Sequence, residues 1–234
     1  MNIQKRIAAL ALVVFASCQV KEDIHVNTNN SVDRDMEMHL DKEASTKLVA
    51  MAKMSGQGDN INLDSLGSVW NTVTDTLNKS LTLTNGSSFS ATKWDTATNS
   101  AKVHFHMPDL KTYNEFAGKF AQTPAAADKQ MPFSGMQKQQ LEWRGKDTLV
   151  IHLNEAKAEA PANSEEMTQS LAMVKVMLGL DALASYKADI HLPKAAKSII
   201  AENATLSADK KTVHIERALE DAAATTSDEV KIVF

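Results

Sequence analysis

The strongest constraint on the fold is a period-two alternation of apolar and polar residues early in the chain. Glu22, Ile24 and Val26 fall on one face of an extended segment, and Lys21, Asp23, His25 and Asn27 on the other. After an Asn-rich stretch from Thr28 to Ser31, Met36, Met38 and Leu40 alternate with Asp35, Glu37, His39 and Asp41. Successive side chains of a strand point to opposite sides, so the pattern specifies a half-buried β-hairpin whose apolar face needs a cover.

Comparable pairs recur downstream. Ser88 to Trp94 and Ala101 to Met107 flank the turn-forming run Asp95-Thr96-Ala97-Thr98-Asn99, and Gln140 to Trp143 and Thr148 to Asn154 flank Arg144-Gly145-Lys146-Asp147. Tyr186, Ala188, Ile190 and Leu192 alternate in a strand that stops at Pro193. Further strands are expected at Ser198 to Leu206, Thr212 to Arg217 and Glu229 to Phe234, with Ser207 to Lys210 as a tight turn.

Three segments read as helices. They are Ala44 to Met54, the run opened by Pro108-Asp109 whose Leu110, Tyr113, Phe116, Ala117 and Phe120 share one stripe, and a long segment capped by Ser164 with Met167, Leu171, Val174 and Leu178 on one side. Strand pairs separated by helices predict an α+β fold: antiparallel sheets built from β-hairpins, with about three helices packed on one face.

Residues 1–17 carry a basic start (Lys5, Arg6), an apolar run from Ile7 to Phe15, and small residues Ala16 and Ser17 before Cys18. This is the layout of a signal peptide. A permanent transmembrane helix needs about 20 apolar residues, more than this run supplies. Cys18 is the chain's only cysteine, so no disulfide framework is available.

The stretch Val14-Phe15-Ala16-Ser17-Cys18 resembles the lipobox of bacterial lipoproteins, with Phe15 where leucine is usual. The resemblance implies cleavage after Ser17 and a diacylglycerol thioether on Cys18. Residues 18–234 are then the mature chain, held in the bacterial outer membrane; two or three acyl chains hold a domain firmly where one does not. Lys21-Glu22-Asp23 is similar to a short signal that sends some lipoproteins of Bacteroidota-type bacteria to the cell surface, and equally reads as a solvated charged triplet. Gln122 to Lys138, with Pro124, three consecutive alanines and Pro132, reads as a linker or an excursion. The mature chain is therefore one domain or two closely packed halves joined near 122–138.

Removing residues 1–17, which hold Lys5 and Arg6 and no acids, takes the formal net charge from −4 to −6. That acidic excess offers no basic field for nucleic acid. The expected partners are the membrane, through Cys18, and a protein, glycan or apolar ligand. The Met-rich helices are the candidate lining for the last of these.

Side chains able to carry chemistry are present without a diagnostic arrangement. His104 and His106 share a strand face at the i, i+2 spacing that can chelate a divalent metal, but Lys102 shares it too and no third ligand stands at fixed spacing. The remaining histidines, His25, His39, His152, His191 and His214, also fall on polar strand faces, and the seven together read as surface composition. The acidic row Asp33, Asp35, Glu37, His39 and Asp41 lies on a straight strand, which cannot wrap calcium and reads as a solvated sheet face.

Trp70, Trp94 and Trp143 are candidates for sugar stacking or for core packing. No Gly-x-Ser-x-Gly, HExxH, CxxC, P-loop or GxGxxG is present, so no catalytic residue, cofactor or metal is assigned, and the balance is against an enzyme. Asp64-Ser65-Leu66, Asp75-Thr76-Leu77, Asp95-Thr96-Ala97 and Asp147-Thr148-Leu149 are similar to the O-glycosylation acceptor of Bacteroidota-type bacteria.

Cys18, the strand pair that follows it, Lys93-Trp94-Asp95 leading into Val103 to Met107, and the segments Tyr186 to Pro193 and Ala204 to Ile215 together resemble Bacteroidota-type lipoproteins of unassigned function. More distantly they resemble the LppM-like exported lipoproteins, a resemblance that implies an α+β domain and lipid handling. Neither group supplies a functional residue beyond Cys18.

Overall fold

The computed structural model describes residues 18–43, 45–47, 50, 67, 70–72, 74, 75, 83, 86–121, 140–153, 176, 185–202, 204–218 and 229–234. Among them are eleven strands: β1 (Cys18–Val26), β2 (Val32–Leu40), β3 (Ser88–Ala91), β4 (Ser100–Met107), β5 (Gln140–Arg144), β6 (Thr148–His152), β7 (Ser185–His191), β8 (Ser198–Ile200), β9 (Ala204–Leu206), β10 (Thr212–Ala218) and β11 (Glu229–Val233). One helix, α1 (Leu110–Ala121), is accompanied by helical residues at 42, 43, 45–47, 50, 67, 70–72, 74, 75 and 176.

The strands form a seven-stranded sheet, in the order β3-β4-β2-β1-β7-β10-β9, and a four-stranded sheet, in the order β5-β6-β11-β8. Their apolar faces meet in one continuous core. Val20, Ile24, Met36, Phe105, Ile190 and Ile215 of the large sheet belong to the same buried cluster as Leu141, Ile151, Val230 and Ile232 of the small one.

The expected α+β arrangement is therefore corrected to a mostly β architecture. The apolar face that each hairpin had to cover is met by a second sheet rather than by a layer of helices. Helix α1 instead runs against the edge strand β5 and the neighbouring β4. Its Asn114 side chain donates to the Leu141 carbonyl (2.8 Å) and accepts from the Leu141 N–H (3.0 Å), satisfying backbone groups of an unpaired edge. Asp109 caps the helix by accepting from Thr112 N–H at 2.7 Å. The expected helices at Ala44 to Met54 and in the Ser164 segment, where Val176 is helical and exposed, otherwise lie for the most part outside the described residues, as do 1–17 and the 122–138 junction.

The hairpins β1–β2, β3–β4 and β5–β6 form where turn chemistry placed them. Asn30 (φ +65°) and Asn99 (φ +49°) supply left-handed turn positions that asparagine tolerates better than most side chains. Two features depart from the sequence reading. Ser198 to Leu206 is not one strand: β8 joins the small sheet and β9 the large one. The sheets are also not wholly antiparallel, because β1 pairs with β7 in parallel, Val20 opposite Tyr186 and Ile24 opposite Ile190.

A charged group sits inside this core at the parallel seam. Glu22 is fully buried and Arg34 nearly so, with Arg34 Nη2 2.5 Å from Glu22 Oε1. Tyr186 of β7 donates its hydroxyl to Glu22 Oε2 (3.0 Å), and Arg34 Nη1 donates to the hydroxyl of Tyr113 from α1 (3.0 Å). Burial opposes the charge on Arg34, but the Glu22 carboxylate more than offsets that and raises its pKa.

Removing either charge leaves the other buried and uncompensated. Arg34→Met alone or Glu22→Leu alone should cost about 3–5 kcal/mol, and the double variant far less than the two added together. Denaturant unfolding of the four proteins measures this, and additive losses would contradict the coupling.

The chain's two tyrosines are Tyr113 and Tyr186, and both belong to this group. Burial raises the pKa of each, well above the ordinary phenol value for Tyr186, where the Glu22 carboxylate adds to it. A raised folded-state pKa contributes stability that is complete below the unfolded value of about 10 and is lost as the pH climbs above it. Tyrosinate absorbance should thus appear together with unfolding, as one transition; ordinary tyrosine titration in a still-folded chain would show that the phenols are not enclosed.

Candidate functional site on the polar face of the large sheet

Because Glu22, Ile24 and Val26 point inward, Lys21, Asp23 and His25 must point out, and the same holds for each neighbouring strand. Register aligns these outward residues in three rows that cross β4, β2, β1, β7 and β10. The first row reads His106, Asp33, His25, His191, Thr212. The second reads His104, Asp35, Asp23, Asp189, His214, and the third Lys102, Glu37, Lys21, Lys187, Glu216.

The second row sets three aspartates side by side, an arrangement that like-charge repulsion disfavours. Imidazoles offset it. His104 Nδ1 lies 2.8 Å from Asp35 Oδ1 and His214 Nδ1 2.7 Å from Asp189 Oδ1. Asp23, in the middle, is approached by two imidazoles: His25 Nε2 at 2.9 Å and His191 Nε2 at 3.0 Å from the same Oδ1. These two rings stack with centroids 4.2 Å apart and planes 11° from parallel.

In the first row His106 Nδ1 lies 2.5 Å from Asp33 Oδ1. Burial works against the Asp33 carboxylate, but hydrogen bonds from His106 and Asn27, together with the nearby imidazoles, hold it below its usual range.

The weak metal candidates at i, i+2 spacing, His104 and His106, are drawn to separate aspartates. Sequence reading missed the closer cluster, Asp23, His25 and His191, because His191 arrives from a distant strand through the parallel seam. The only local sign was the outward phase of Asp23 and His25, which many solvated strands share. His152 is engaged on the small sheet with Glu142 (3.2 Å) and Glu229 (3.4 Å), beside Arg144.

Of the sugar-stacking candidates, Trp70 is buried and donates Nε1–H to the Thr92 carbonyl (2.8 Å), and Trp94 packs beside it. Trp143 borders an open groove of about 430 Å³ with Thr28, Asn30, Lys146 and Lys194. Its ring rests against Phe234, centroids 5.3 Å apart. Among the acceptor-like triplets, Thr96 is exposed in its turn and Thr148 half-buried at the start of β6; Asp64-Ser65-Leu66 and Thr76-Leu77 lie outside the described residues.

No protein-family model matches the chain, and no curated protein matches it. Among solved structures it is similar to the folded domain of the Mycobacterium tuberculosis LppM protein, determined by NMR. That similarity spans 93% of this chain and 90% of that one, at 9% identity and a TM-score of 0.43.

Exposed ion pairs of this kind are individually weak. Replacing His104 and His106 together by alanine should change unfolding free energy at neutral pH by no more than about 1 kcal/mol per pair. A loss several times larger in denaturant melts would mean that these pairs hold the sheet together.

Proposed function

We propose that this chain is a lipid-anchored cell-envelope protein, a binding module held in the outer membrane by Cys18, with the histidine–aspartate face of its large sheet as its working surface. The observation that supports this most is the place of Cys18. It opens β1, the fourth of seven strands in the large sheet, so a lipid there leaves no tether between membrane and domain. The Cys18 end of the sheet then faces the bilayer. His25 lies seven residues along the same strand, roughly 23 Å from that end at about 3.3 Å per residue.

The protein or glycan that this surface serves would approach from the membrane-distal side, where the first row lies. Polar, titratable side chains at moderate exposure suit contact with a polar partner. No helix among the described residues is long and apolar enough to cross a membrane.

Intact mass of the chain purified from its native envelope tests the anchor. The expected species lacks residues 1–17 and carries diacylglycerol mass on Cys18, and Cys18→Ser should shift the protein from the membrane to the soluble fraction. An unmodified Cys18 in the native species would overturn the reading. Protease treatment of intact cells then separates a surface from a periplasmic position.

A further inference from the structure

We infer that Asp23, His25 and His191 form a binding site for one divalent transition cation of the zinc class. Three observations converge on it, and none depends on the lipid anchor.

The first is the donor set. Two imidazole nitrogens and one carboxylate oxygen, all within 4.8 Å of one another, are a ligand combination found in zinc and other first-row metal sites with open positions. Both nitrogens are Nε2, each about 3 Å from the same oxygen. Ligand atoms held about 2.0–2.2 Å from a shared metal lie roughly 3 Å apart, so the two nitrogen–oxygen spacings match neighbouring corners of a coordination shell.

The second is Asp23 Oδ1 itself. This oxygen is shut off from solvent and has no hydrogen bond of sound geometry, although both nitrogens are close. Neither N–H is aligned to donate to it. A desolvated carboxylate oxygen in that condition costs stability unless it is compensated, and a cation between the oxygen and the two nitrogens would compensate it. The rings now stack nearly parallel, so each must tilt out of the stack for both Nε2 lone pairs to converge on one cation.

The third is the surrounding support. Thr212 Oγ1 lies 3.3 Å from His191 Nδ1, where it can accept from Nδ1–H and leave Nε2 unprotonated for a metal. Asp35, Asp189 and Asp33 occupy neighbouring row positions and make the local field favourable to a cation. The nearest lysine on β7, Lys187, is turned to Glu216 at 2.8 Å. With three protein ligands at the surface, the remaining coordination positions face solvent and are filled by water or by a group from a partner.

The test uses the full chain in detergent, without a histidine tag. Zn²⁺ titrated calorimetrically should bind with a stoichiometry of one, and Co²⁺ should produce the visible absorption of a low-coordinate nitrogen–oxygen site that Zn²⁺ then displaces. His191→Ala and His25→Ala should each weaken Zn²⁺ binding at least tenfold, and Asp23→Asn, which keeps the shape of the side chain, should weaken it too. The double variant His104→Ala/His106→Ala removes as many imidazoles from the same face and should leave the site intact. Circular dichroism confirms that each variant is folded; should the alanine variants unfold, Asp23→Asn and the Co²⁺ spectrum of the unaltered chain decide. Absence of stoichiometric binding, or equal loss in the His104/His106 variant, overturns the site.

Discussion

The buried ion pair between Glu22 and Arg34 is the interaction on which the rest of the structure depends. Taking two charges out of water costs several kcal/mol for each ion, and only close geometry with satisfied hydrogen bonds offsets it. Here the offset is assembled from four elements: Glu22 on β1, Arg34 on β2, Tyr113 on α1 and Tyr186 on β7. The pair can be satisfied only when the helix is docked and the parallel seam is closed. It is thus a condition on the whole fold rather than a local contact.

The same pair sets the register of the centre of the sheet. A slip of one residue in β1 would turn Glu22 outward and Asp23 inward, away from Arg34. Holding Glu22 inside holds Asp23 and His25 outside, opposite Asp189 and His191 across the seam. The buried charges and the outer rows of histidine and aspartate are two consequences of one alignment. The alternating charges of the outer face also offset one another across strands, which limits the repulsion among three adjacent aspartates.

The second sheet completes the enclosure. Its Leu141, Ile151, Val230 and Ile232 close the apolar side of the large sheet, while α1 shields the β5 edge through Asn114. The outer face is left for solvent and ligands, with five of the seven histidines in its first two rows. A polar, well-registered sheet face of this kind positions side chains more rigidly than a loop can, because each strand the rows cross is paired on both sides.

What the sequence determined by itself was local. Alternation in Lys21 to Asn27 and Met36 to Asp41, the asparagine turns, the Asp109 cap and the Leu110–Tyr113–Ala117 stripe each depend on residues a few positions apart, and the corresponding hairpins and helix are where they were expected. The placement of Cys18 beside a small-residue run is likewise a reading of neighbours. Tertiary structure decided what those pieces do to one another. The cover for the hairpins is a second sheet and not a helical layer, Ser198 to Leu206 is divided between sheets, and β1 meets β7 in parallel. For the same reason His104 and His106, neighbours in sequence, turn to different aspartates, whereas His25 and His191 share one. Alternation specifies which face a side chain takes, but its cross-strand neighbour depends on long-range pairing, and the Tyr186 hydroxyl on the buried Glu22 carboxylate is the polar contact that ties β7 to β1 at the seam.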